Sequence, residues 1–159
     1  HRLFGRIQYR SAGNARDPEA IVITNGWEKN IEMVEIPQLV GVQGAGRAKK
    51  FPFHKKVAGQ VQGLFESWAV HNYDQLILTY AGSWVPRFVR GSRTTLSSHA
   101  WGTAFDINAA WNGYGRRPAM VGEKGCVREL VEIAVDYGFY WGGWFPRSDG
   151  MHFEVFDIR

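Results

Sequence analysis

The strongest periodic signal in the chain runs from His54 to Asn72. There Val57, Val61, Leu64, Phe65 and Trp68 recur at helical spacing and share one face. A second, shorter pattern from Cys126 to Tyr137 places Val127, Leu130, Val131 and Ala134 on one side, with Gly138 as a stop. Every other apolar run is of strand length. Ala20–Thr24 reads as a strand ended by the Asn25-Gly26 turn, and Met33–Val40 as an extended segment that Pro37 pushes to an edge or out of a sheet. Gln75–Tyr80, Thr103–Asn108, Phe139–Trp141 and Met151–Phe156 read as further strands. Gly41–Lys50, Trp84–Leu96 and Trp111–Gly125 carry the Gly, Pro and basic residues of loops. Two helices among short hairpin-like strands predict an α+β fold with a small antiparallel sheet.

At 159 residues, the expectation is one domain, residues 1–159, long enough to bury a core. The mixed, basic segment 1–17 reads as a linker from a missing upstream module or as an arm packed on the domain. The chain opens with His rather than Met, so we expect a piece of a longer precursor, whose missing part could have carried an export signal. No stretch is long and apolar enough for a membrane span.

Composition excludes some chemistry. A single cysteine, Cys126, rules out an intrachain disulfide and multi-cysteine zinc sites, so any metal must be held mainly by His and carboxylates. The net charge of +4 favours polyanionic surfaces without choosing among nucleic acid, acidic lipid and cell wall. No nucleic-acid-binding motif accompanies it.

Two segments hold candidate chemistry: Ser97–Asp106 and Asp149–Glu154. His99 and Asp106 are seven residues apart, which would put them on opposite faces of a regular strand. Gly102 supplies a bend that can bring both to one point. Beyond it Phe105 and Ile107 face one way and Asp106 the other. In the last strand Met151, Phe153 and Val155 share one face, and His152 and Glu154 the other. His99, Asp106 and His152 could therefore converge as three ligands, leaving an open position as catalytic zinc requires. Asp149, across Gly150 from His152, could hold a free carboxylate nearby and move protons. Taken singly, each of these residues has an ordinary structural or surface reading.

The pattern S-x-H-x-x-G-x-A-x-D, met by Ser97, His99, Gly102, Ala104 and Asp106, is followed by an acidic residue just before H-F-E, met by Asp149, His152, Phe153 and Glu154. It resembles the D-alanyl-D-alanine carboxypeptidase and L-alanyl-D-glutamate endopeptidase family, the VanY-like zinc metallopeptidases, especially members in phage endolysins. The resemblance extends over about Phe51 to Phe156, taking in Trp84–Gly91. It implies a hedgehog/DD-peptidase-like fold and Zn2+ on His99, Asp106 and His152. It implies Asp149 as general base, and an upstream arginine, Arg87 or Arg90, that holds a substrate carboxylate or the oxyanion. Arg93 reads as solvated. Ser97 would touch substrate or the surroundings of the metal, or serve as a plain turn hydroxyl. Glu154 could orient His152 or compete with Asp149 as base. Trp101, with Trp111, Trp141 and Trp144, could wall a cleft, against the commoner reading of core packing. His54 and His71 read as surface or capping residues.

The implied activity is hydrolysis of stem-peptide bonds in peptidoglycan by a monomer, as an L-alanyl-D-glutamate endopeptidase. The rivals are a D-alanyl-D-alanine carboxypeptidase, a zinc-stabilised binding domain that does not catalyse, and, more weakly, a basic nucleic-acid-binding protein. The implied partner is peptidoglycan, with no nucleic acid and no stable membrane insertion. The expected place of action is the cell wall or periplasm, after synthesis in the cytoplasm.

Overall fold

A computed structural model describes residues 3–159; residues 1 and 2, the start of the segment read as a linker or an arm, lie outside the described residues. Two helices pack with three small antiparallel sheets, the α+β arrangement expected. Strands β1 (Tyr9–Ser11) and β2 (Ile21–Ile23) form one ribbon, and β3 (Ile31–Glu35) and β4 (Lys50–His54) another. The third sheet has the order β5 (Ala104–Asp106), β7 (His152–Val155), β6 (Phe139–Trp141).

Helix α1 spans Ala58–Val70 and buries Val61, Leu64, Phe65 and Trp68. It starts later than its periodicity suggests because His54 pairs with β3 at the end of β4 and Lys55–Val57 forms a 3-10 turn. His54 is buried, and its Nδ1 accepts the Lys56 N–H, capping the turn that leads into α1. The capping expectation therefore holds for His54 and the surface one does not. His71 is exposed at the other end of the helix. Helix α2, Arg128–Asp136, lies against α1, and Trp68 Nε1 donates to the Leu130 carbonyl between them.

One expected extended segment leaves its sheet at Pro37, as its proline suggested, and one expected strand is replaced. Val34 and Glu35 end β3, and Pro37 opens a 3-10 turn, Pro37–Leu39, that buries Leu39. The Gln75–Tyr80 run starts in a 3-10 turn, Asp74–Leu76, and makes only isolated bridges. The physical reason is Asn108. Its Oδ1 accepts the Leu78 and Thr79 N–H groups and its Nδ2 donates to the Leu76 carbonyl, taking hydrogen bonds that a neighbouring strand would have supplied.

The core centres on Phe105, whose ring stacks on Phe153 at 5.5 Å and meets Phe53, Phe65, Trp68 and Phe139. Phe4 and Ile7 of the N-terminal segment are also buried in this core.

Candidate metal centre and cleft

The register of β5 against β7 sets the site. Phe105 faces Phe153, so both rings enter the core. The next pair, Asp106 opposite His152, must point to the other face, because side chains alternate along a strand. His99 arrives from a separate element, the 3-10 turn Ser98–Trp101. Ser97 caps that turn, its Oγ accepting the His99 N–H at 3.2 Å. Gly102 ends it with a φ of 65°, a left-handed conformation that costs glycine little.

His99 Nε2 and His152 Nδ1 each lie close to Asp106 Oδ1, at 3.2 Å and 3.1 Å, and stand 3.2 Å from one another. Three donor atoms of this kind within 4.8 Å could hold a metal ion. The outer ring nitrogens are also engaged. His99 Nδ1 lies 2.7 Å from the Ser83 carbonyl, and His152 Nε2 lies 2.9 Å from Glu154 Oε1. An N–H on each outer nitrogen leaves the inner lone pair free, the tautomer that a metal ligand needs. The donor set therefore fits a zinc ion, with His99 and His152 presenting opposite nitrogens.

Electrostatics bind the cluster further. Burial would raise the Asp106 carboxyl, but hydrogen bonds from the two imidazoles outweigh it and hold the group well below its usual range. Burial would lower His152, but Asp106 and Glu154 hold it up to about 9, so a metal that binds His152 must displace the proton on its inner nitrogen.

Asp149 is fixed by backbone. Its N–H donates to Gly142 O at 2.9 Å, and its carbonyl accepts the His152 N–H at 3.0 Å. A Cβ on Gly142 would stand 2.4 Å from the Asp149 carbonyl oxygen, so this approach requires glycine. The Asp149 side chain is left with one buried oxygen, Oδ1, that has no hydrogen-bond partner. Burial, with Asp106 adding to it, pushes its carboxyl above the ordinary value.

Asp106, Asp149 and His152 line a cavity of about 680 Å³. Of the residues singled out in the sequence, Arg87, Arg90, Ser97 and Trp101 line it too. The two arginines differ. Arg90 is exposed and pairs with Asp17 at 2.8 Å and Glu19 at 3.3 Å. Arg87 is half-buried and feels Asp106 and Asp149, while burial and Arg90 pull its pKa down. Arg93 is exposed and donates to the Pro18 carbonyl. Trp101 Nε1 donates to the Gly5 carbonyl, so this ring also ties down the N-terminal segment. Trp141 is buried and donates to Gly150 O, whereas Trp144 is half exposed. Three further wall residues, Tyr114, Phe145 and Arg147, went unmarked in the sequence. They lie in loops without periodicity, and only proximity to Asp149 in the chain hinted at the last two.

Residues 90–155 match the family model described as D-alanyl-D-alanine carboxypeptidase. The match takes in both motifs, so the resemblance read from the residues holds over this span; Phe51–Val89 lies outside it. No curated protein matches the chain, and no solved structure does. The match is to a peptidase family and supports a peptidase acting on peptidoglycan.

Proposed function

We propose, with that family match as premise, that the chain is a zinc-dependent hydrolase of peptidoglycan stem peptides, acting as an L-alanyl-D-glutamate endopeptidase at the cell wall. The observation that carries this reading is Asp149 Oδ1, a buried and unpartnered carboxylate oxygen in the cavity that Asp106 and His152 also line. A binding domain stabilised by zinc has no use for such a group. A hydrolase needs one to move a proton.

His99, Asp106 and His152 would hold the ion, and when bound it supplies Lewis acidity to a carbonyl oxygen and to water. The chain's own groups do the rest. Asp149, its basicity raised by burial, accepts a proton from the attacking water and returns it to the departing amine nitrogen. Arg87, half-buried in the same wall, offers N–H groups to the substrate carbonyl as negative charge develops on it. Arg90 is the weaker candidate, since Asp17 and Glu19 already neutralise it. Glu154 and Ser83 orient the two imidazoles through their outer nitrogens. Ser97 acts through the same turn, because its hydroxyl oxygen receives the His99 N–H. No helix is long and apolar enough to cross a membrane among the described residues.

The test is mass spectrometry of purified peptidoglycan after incubation, with and without a zinc chelator. Chelator-sensitive new ends after the stem's L-alanine support the endopeptidase. Released D-alanine would replace it with a carboxypeptidase. Unchanged walls of several types, with zinc confirmed bound, would sink both and favour a binding domain.

A further inference from the structure

The cavity wall holds a second cationic feature that the proposed chemistry does not use. Arg147 lies in the loop before Asp149, and its guanidinium carbon sits 4.3 Å from the centre of the Tyr114 ring. Among the described residues no carboxylate pairs with it. Arg90, the other exposed arginine of the wall, already has two acidic partners.

The position of Arg147 is built rather than loose. The Gly115 N–H donates to the Ser148 carbonyl at 2.7 Å, locking the Tyr114 loop onto the Arg147 loop. Gly115 has a φ of 76°, and a Cβ there would stand 3.0 Å from Arg147 Nε. Backbone therefore lies close to the Nε side of the guanidinium, and its central carbon sits over the Tyr114 ring. Stacking of this kind leaves the N–H edge of the group free, and that edge matches a carboxylate with two parallel hydrogen bonds. Phe145 and Met151 give the same wall an apolar surface for a short peptide.

We infer that Arg147, seated on Tyr114, is a specificity subsite that reads a carboxylate of the substrate away from the scissile carbonyl. This rests on the stem-peptide reading above. In such a peptide, the glutamate joined through its γ-carboxyl keeps a free α-carboxylate next to the alanine bond. Walls that amidate this position offer a neutral carboxamide instead. The subsite therefore distinguishes acidic from amidated stems, while Arg87 serves the reacting carbonyl.

Two probes test it: L-alanyl-γ-D-glutamyl-L-lysine and the same peptide with the glutamate α-carboxyl amidated. Binding is measured by calorimetry on the zinc-loaded Asp149→Ala protein, and turnover on the zinc-loaded protein with Asp149 intact. The acidic peptide should bind about 10-fold or more tighter than the amide. Arg147→Gln should abolish that difference, leave affinity for the amide unchanged, and raise KM for the acidic peptide with little change in kcat. Tyr114→Phe should keep the preference and Tyr114→Ala should weaken it, because the ring and not the hydroxyl seats the arginine. Equal binding of both peptides with Arg147 intact would overturn the subsite. So would an Arg147→Gln protein that keeps the preference or loses both affinities equally. Wall cleavage without acid–amide discrimination overturns the subsite alone. Failure both to bind either peptide and to cleave walls overturns the proposed function, and the subsite with it.

Discussion

The floor of the cavity is a pair of strands, and its rim is loop. On the floor, Asp106 and His152 are register partners, and the adjacent pair, Phe105 and Phe153, is stacked in the core beneath them. A shift of one residue would turn the carboxylate and imidazole into the core and the rings into the cavity, so the fold cannot lose this geometry piecemeal. At the rim, Tyr114 and Arg147 are joined by a ring contact and one loop-to-loop hydrogen bond, and Arg87 sits on a segment held by isolated bridges to Ala20 and, through Phe88, to Leu96. The difference teaches where function is stored: sheet register places two of the three groups that must meet within about an ångström, a capped turn brings His99 to them, and groups that choose substrates sit where loops can vary.

Substitutions on the floor, and at Asp149 in the turn that enters it, should therefore have the largest effects. His152→Ala should lose both zinc and activity, with metal content by plasma mass spectrometry near zero and wall hydrolysis undetectable. Asp149→Ala should keep stoichiometric zinc while kcat falls by about 10²–10⁴-fold. An Asp149→Ala protein with near-normal turnover would remove the proposed proton carrier and leave the floor as a metal site without a base.

The two rim arginines provide the sharper contrast. Arg87→Ala should lower kcat/KM by about 10²–10³-fold, the usual cost of one donor to a developing oxyanion. Arg90→Ala should change turnover little and loosen the segment around Asp17 and Glu19, which hydrogen exchange would detect. Equal losses from both would mean that the rim acts as one charged surface and not through one placed group.

Much of the floor was legible in the residues. Alternation in Thr103–Asn108 and Met151–Phe156 put Asp106 and His152 on one kind of face and Phe105 and Phe153 on the other, and the structure has them so. Gly102 advertised the bend that brings His99 in. The rim was not legible, because cation–π seating and loop-to-loop hydrogen bonds leave no period in a sequence. The same limit explains the missing strand at Gln75–Tyr80. Its apolar run was visible, but the Asn108 side chain that satisfies its backbone lies 30 residues from Leu78 in the chain.

A smaller effect should come from the orientation of the floor's ligands. Glu154→Gln keeps the size of the side chain and removes the charge that holds His152. Zinc affinity should fall about 10–100-fold by chelator competition, the usual cost of losing a partner to a metal-bound imidazole. Unchanged affinity would mean that packing alone orients His152 and would weaken the distinction between floor and rim.

The smallest effect on the chemistry at neutral pH tests the support beneath the floor. His54 is 1% exposed, and its backbone N–H donates to the Gly102 carbonyl, joining β4 to the turn that carries His99. Burial, helped by Lys56 and Lys55, lowers its pKa from 6.5 to about 4. Its Nδ1 must also stay unprotonated to accept the Lys56 N–H. The unfolded chain takes up this proton near pH 6.5 and the folded chain only near pH 4, so the stability is complete above 6.5 and erodes as pH falls between the two. At full expression the loss is up to about 3 kcal/mol. His54→Leu gives up the cap and should be somewhat less stable at pH 7, but its midpoint in urea should fall less steeply between pH 6.5 and 4 than that of the parent. Parallel slopes for the two proteins would show that His54 is not the group whose protonation undermines the turn under His99.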